Sequence, residues 1–113
     1  MTKAMIDSAI RDLTADIKKI YGKKLKELIL FGSCARGDFD KGSDVDILIL
    51  LDVAKEAVPE ERGKIREVIS ALDEKYEYEL LLSPVIRSYS EFNKWESVVP
   101  FYQNVQNEGI RYA

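Results

Sequence analysis

Apolar side chains recur every three to four residues along residues 5–20, which predicts one amphipathic helix. Gly22 follows this stripe and is well placed to end the helix. Residues 25–31 form a short apolar run that stops at Gly32, and residues 44–51 form a second one. Because both runs are too short for helices, they predict two buried strands joined by a polar connection.

The second half of the chain continues this alternation of helix and strand. Residues 60–76 repeat the helical spacing, and residues 77–86 read as a third extended segment. Two short helices are predicted over about residues 90–96 and 99–107. The order predicts an α/β (α+β) fold, in which a small mixed sheet of three or more strands is flanked by helices.

Composition narrows the class of protein. The 113 residues fit one domain, residues 1–113, and the formal net charge of −3 removes the electrostatic force on which nonspecific nucleic-acid binding relies. No histidine is present, which excludes histidine triads and histidine metal sites. The longest aliphatic run is too short to span a membrane. A lone cysteine, Cys34, and the lack of an apolar leader predict a cytoplasmic protein.

The polar connection between the first two strands carries the candidate chemistry. Gly32 at a strand end lets the backbone approach a ligand, and Ser33 opens a turn whose amides suit a phosphate. Asp44 and Asp46 lie two apart, so a strand places both carboxylates on one face, where they can hold Mg²⁺. The alternative is that both are solvated charges at a strand end. Cys34 is interpreted as a packed residue because no histidine is available to activate it.

Gly32-Ser33, ten intervening residues and Asp44-x-Asp46 resemble the signature of the nucleotidyltransferase superfamily typified by DNA polymerase beta. The chain is similar to its minimal, single-domain branch. The resemblance implies the nucleotidyltransferase fold, and it implies that Asp44 and Asp46 bind two Mg²⁺ ions. It also implies nucleotide binding, with ATP as the substrate. The residues implied to bind the nucleotide are Gly32, Ser33, Arg36 and Ser43.

Arg36 has an alternative role, which is to tie the loop to a nearby carboxylate. The family's third carboxylate lies on the next strand and helps to deprotonate the acceptor hydroxyl. Glu79 is the predicted third catalytic and metal-binding carboxylate, with Glu77 second, because both would share a face of the third extended segment. The alternative is that both glutamates are solvent-facing and the site binds nucleotide without turning it over.

Small members of this branch are commonly paired with a helical HEPN-domain protein and act as antitoxins that adenylylate the toxin. The resemblance therefore implies Mg²⁺-dependent transfer of AMP from ATP to a hydroxyl, on a HEPN-domain partner. A domain of this size has little surface left to position an acceptor, and assembly of the chain with copies of itself is the alternative to a protein acceptor that docks. The competing hypothesis is a binding module that neutralises a partner by contact, and a small-molecule transferase is a third.

Overall fold

A computed structural model describes all 113 residues and contains five α-helices, four β-strands and two short 3-10 helices, Gly22–Lys24 and Lys55–Ala57. The helices are α1 (Lys3–Tyr21), α2 (Ser33–Arg36), α3 (Val58–Lys75), α4 (Tyr89–Trp95) and α5 (Pro100–Glu108). The strands are β1 (Leu25–Phe31), β2 (Val45–Leu51), β3 (Leu82–Ser88) and β4 (Ile110–Arg111). None of the helices combines the length and apolar character needed to cross a bilayer.

The four strands form one mixed sheet in the order β3-β2-β1-β4. β1 pairs antiparallel with both β2 and β4, whereas β2 and β3 run parallel across the long α3 connection. The prediction of a mixed sheet of at least three strands flanked by helices is therefore confirmed. β4 was not predicted, because a two-residue strand leaves no periodic signal.

Alternate residues of the central strands pack on opposite faces of the sheet. On one face Leu28, Leu30 and Ile47 meet the apolar stripe of α1 and α3, forming a core of 20 buried residues. On the other face Leu48 and Leu50 pack with residues of α4 and α5 in a smaller core. Near the start of β2, Asp46 lies on the same face as Leu48, and Asp44 immediately precedes the strand.

Local signals explain where the long helices begin and end. The Thr2 hydroxyl caps α1 by accepting the Met5 N–H at 3.1 Å, and Gly22, with φ of 55°, ends it. Pro59 lies in the first turn of α3, where it removes no needed hydrogen bond. α3 starts at Val58 instead of residue 60, a shift within the usual uncertainty of helix ends.

Candidate functional site

The connection from β1 to β2 begins with a tight turn at Gly32. Gly32 has φ of 75°, and its carbonyl accepts the N–H groups of both Ala35 and Arg36 at 3.1 Å. These bonds form the single turn of α2, so the N–H groups of Ser33 and Cys34 precede its hydrogen-bonded ladder. A ligand phosphate placed at this turn would therefore meet amide donors.

Gly32 also lies close to the second aspartate of the motif. Phe31 is paired with Asp46 across the antiparallel ladder, which brings the following residue beside the carboxylate. A Cβ added at Gly32 would lie 2.6 Å from Asp46 Oδ2, closer than carbon and oxygen normally approach. Glycine is therefore favoured here, chiefly by its positive φ and also by the nearby carboxylate, whose oxygen would have to shift to admit a side chain.

The two aspartates differ in their surroundings. Asp46 is the second residue of β2 and half-buried, whereas Asp44 precedes the strand and is exposed. Burial raises the pKa of Asp46, and the charge of Asp44 raises it further, while Arg36 opposes the shift. The carboxylates therefore repel each other in the ligand-free chain. A hard divalent cation would relieve that repulsion, and carboxylate oxygens are its preferred ligands.

The Cys34 side chain connects the turn to the hydrophobic core. It is buried, and its thiol donates to the Asp44 carbonyl with a sulfur to oxygen distance of 3.6 Å. Burial raises the pKa of the thiol, which disfavours the reactive thiolate. The interpretation of Cys34 as a packed residue is confirmed. Its contact joins the start of α2 to the residue before β2.

Ser43 takes part in a second turn ahead of the aspartates. Its hydroxyl accepts the Asp40 N–H at 3.0 Å, and its own N–H donates to the Asp40 carbonyl at 3.2 Å. Gly42 closes the turn by donating its N–H to Asp40 Oδ1 at 2.9 Å. These bonds give Ser43 a structural role, and its contact with a nucleotide stays a prediction.

Arg36 is exposed and lies between two carboxylates. Its guanidinium forms ion pairs with Asp38 at 3.3 Å and with Glu108 at the end of α5 at 3.5 Å. The alternative in which Arg36 ties the loop to a neighbouring carboxylate is thus what the structure contains. Because exposed pairs of this kind are weak, the guanidinium remains able to turn toward a bound phosphate.

The predicted strand at residues 77–86 was wrong at its start. β3 begins at Leu82, and Glu77 and Tyr78 instead adopt left-handed conformations with φ of 55° and 58°. The Tyr78 N–H donates to the Asp73 carbonyl at 2.9 Å, so the chain turns at the end of α3 before it extends. The expected alternation of Glu77 and Glu79 on one strand face is therefore absent.

The structure also does not group Glu79 with the aspartates. Glu77 and Glu79 are exposed in the turn, and nowhere do three His, Cys, Asp or Glu side chains gather closely enough to hold a metal ion. The structure brings together Gly32, Ser33 and the aspartate pair, and it leaves out the predicted third carboxylate.

The residue of β3 that faces the aspartates is Ser83. It is paired in register with Asp46, and the two strands are parallel, so both side chains lie on the same face. Sequence reasoning missed Ser83 because the pairing register depends on where β3 begins. The signal that could have found it is the apolar run from Leu80 to Leu82, which marks the entry of the chain into the sheet.

Comparison with known proteins finds relatives that match most of the chain. The model of the nucleotidyltransferase domain family matches residues 10–111. A Methanocaldococcus jannaschii protein named "Putative protein adenylyltransferase MJ0141" is 40% identical over 101 residues, which are 89% of this chain and 92% of that protein. A second protein of that organism, "Putative protein adenylyltransferase MJ0604", is 33% identical over 106 residues, 91% and 93% of the two chains.

A solved structure shares the fold. The crystal structure of a Sulfolobus solfataricus protein described as "a putative nucleotidyltransferase" superposes with a TM-score of 0.58. The match covers 99% of this chain and 88% of the other at 22% identity.

Proposed function

Because this chain belongs to the nucleotidyltransferase domain family, we propose that it transfers AMP from ATP to a hydroxyl group of a partner protein, with Mg²⁺ bound at Asp44 and Asp46. The observation that supports the proposal is the close approach of Gly32 to Asp46, where an added Cβ would lie 2.6 Å from Oδ2, so that the turn after β1 adjoins the second aspartate. The names of the two archaeal relatives support protein as the acceptor and adenylate as the group.

The proposed reaction balances as a single displacement. An acceptor oxygen attacks the α-phosphorus of ATP, its proton leaves to solvent or a base, and the bond to pyrophosphate breaks. Ser33 and the amides of its turn would bind the leaving phosphates, and Arg36 would add positive charge there. Bound Mg²⁺ would neutralise phosphate charge, with Asp44 and Asp46 as its protein ligands. Ser83 would face the same space from β3.

Labelled ATP tests this proposal directly. The protein is incubated with Mg²⁺, a candidate acceptor and ATP labelled either at the α-phosphate or at the γ-phosphate. The candidate acceptor is a HEPN-domain protein, the partner that the family resemblance implies. We expect α-label, and no γ-label, on the acceptor.

A matched pair of variants makes the test specific. Asp46→Asn should abolish labelling, whereas Asp52→Asn, the same change at an exposed residue after the other end of β2, should leave it intact. Labelling that survives Asp46→Asn, or γ-label on the acceptor, would contradict the proposal.

A second candidate function is favoured by the serine in register with Asp46. Without a third carboxylate beside the pair, the site could bind a nucleotide and the chain could neutralise its partner by contact alone. Tight binding of the HEPN-domain protein without transfer of α-label would favour this function, which corresponds to an antitoxin that does not modify its target.

A further inference from the structure

The outer edge of β3 borders two adjoining cavities of about 360 and 240 Å³. Arg62 of α3 and Ile86 of β3 line both, so the cavities form one continuous groove between the helix and the edge strand. We call this the edge groove. Its defining residues are Lys55, Arg62, Arg66, Ile69, Pro84 and Arg87.

Positive charge is concentrated in the edge groove although the whole chain carries −3. Four cationic side chains line it against two carboxylates, and both carboxylates are engaged. Asp73 accepts the Leu82 N–H at 3.1 Å, and Glu91 pairs with Lys55 at 3.6 Å. Arg62 and Arg66, one helical turn apart and exposed, form no ion pair within the chain.

Several outward backbone groups of the edge strand are already occupied or absent, so the strand is poorly suited to pairing with an added strand. In a parallel pair of strands, every second residue directs its backbone N–H and C=O toward the neighbouring strand. The Leu81 carbonyl accepts the Val45 N–H at the start of β2, so the backbone groups of Leu82, Pro84 and Ile86 point toward the free edge of the sheet. The outward Leu82 N–H is taken by Asp73, and Pro84 has no N–H. The Ile86 carbonyl accepts from Arg87 Nη1 at 2.9 Å. Because few backbone donors are free at this edge, we expect an occupant to bind mainly through side chains.

We propose that the edge groove binds an acidic, extended segment of a partner protein, with carboxylates at Arg62 and Arg66 and apolar side chains over Ile69 and Pro84. The aliphatic floor favours a peptide over single-stranded nucleic acid, because no aromatic side chain lines either cavity to stack on bases. The proposal does not rest on the transfer activity. Leu82, Pro84 and Ile86 of the groove alternate with Ser83, so they lie on the face opposite Asp46, whereas Arg87 shares the face of Ser83 toward the other end of the strand.

Fluorescence anisotropy tests the edge groove with defined probes. The probe is a fluorescein-labelled ten-residue peptide of alternating Glu and Val, titrated with the full chain in the absence of ATP. Reversing both unpaired arginines, Arg62→Glu with Arg66→Glu, should weaken binding at least about tenfold, because each loses a charge-assisted contact and gains a repulsive one. The control Lys19→Glu with Lys23→Glu makes the same charge change at exposed lysines outside the groove and should change binding less than about twofold.

Each remaining outcome decides the proposal. No binding of the acidic peptide up to about 1 mM protein, where an interaction would be weaker than a useful contact, would overturn it. Equal loss in both double variants would also overturn it, since only the net charge would then matter. Better competition by decameric oligouridylate than by unlabelled acidic peptide would identify a nucleic-acid surface instead. If the double variant Arg62→Glu with Arg66→Glu has a lowered Tm, the double variant Arg62→Gln with Arg66→Gln replaces it. That variant removes both charges without adding repulsion and should still weaken binding.

Discussion

Replacing the half-buried aspartate by asparagine should stabilise the ligand-free protein. Asp46 is held against Gly32 in a site where burial and the charge of Asp44 both raise its pKa. Asp46→Asn keeps the shape of the side chain and removes the charge. The substitution thus removes a repulsion that bound Mg²⁺ would otherwise relieve. The charge of Asp46, which is proposed to be essential for transfer, should therefore lower the free energy of unfolding of the ligand-free protein.

The size of the effect follows from the strand geometry. Residues two apart on a strand have Cα atoms about 6 to 7 Å apart. Two unit charges at about 6 Å repel by about 0.7 kcal/mol in water and by about 2.8 kcal/mol at an effective dielectric constant of 20. Because Asp44 is exposed, we expect a gain of about 1 kcal/mol at pH 7 for Asp46→Asn. For a chain of this length that corresponds to a rise in Tm of about 4 °C.

The dependence on pH has a definite sign. A folded-state pKa above the ordinary 3.8 means that the folded chain binds more protons than the unfolded chain in the window above that value. The contribution of Asp46 to stability therefore falls as the pH rises through this window. The advantage of Asp46→Asn should be absent well below pH 3.8, where the carboxyl is neutral in both states, and present at pH 7.

Thermal and urea unfolding measure this prediction without any activity assay. The control Asp52→Asn removes an exposed charge after the other end of β2 and should change the free energy of unfolding by less than about 0.5 kcal/mol. Mg²⁺ at ten times its dissociation constant should stabilise the natural sequence by about 1.4 kcal/mol and Asp46→Asn by much less. A destabilised Asp46→Asn at pH 7, or equal stabilisation of both proteins by Mg²⁺, would refute the reasoning.

Three further substitutions probe the turn, a helix and the edge strand, each measured by urea unfolding. Gly32→Ala should cost about 1 to 3 kcal/mol, since the new Cβ meets Asp46 Oδ2 and φ is positive. Gly63→Ala should instead stabilise by about 0.5 to 1 kcal/mol, because that glycine lies within α3 with open space around it, and a loss there would contradict the helical assignment. Asp73→Ala should cost about 1 kcal/mol by leaving the Leu82 N–H without its carboxylate, and an unchanged stability would show that water replaces it.

The elements nearest the motif could be predicted because their patterns are strong. α1 has a regular apolar stripe and a capping threonine, and β1 and β2 are short aliphatic runs bounded by polar residues. Period-two alternation then places Asp44 and Asp46 on one face once the strand is recognised. The part of the site that depends on adjacent residues alone was therefore visible in the sequence.

The start of the third strand could not be predicted correctly because the turn before it has a sequence pattern typical of a strand. Residues 76–79 alternate Tyr and Glu, which resembles a half-buried strand. They form a turn instead, because the Asp73 carbonyl binds the Tyr78 N–H and two non-glycine residues accept left-handed conformations. Such conformations are costly for ordinary residues, so composition gives no warning of them. Starting the strand later removes the predicted position of Glu79 and brings Ser83 beside Asp46.

Successive residues of the edge strand β3 face the two proposed surfaces, the aspartate site and the edge groove. Ser83 faces the aspartates, while Leu82 and Pro84 on either side of it face the edge groove, so one strand separates the two. Neighbouring strands lie about 4.8 Å apart. A partner whose acidic segment occupies the groove would thus need only a few residues to pass around the start of β3 and present a hydroxyl near Asp44. Weakening the groove should then raise the KM for a protein acceptor and leave kcat unchanged, because the groove binds the partner equally in the ground and transition states.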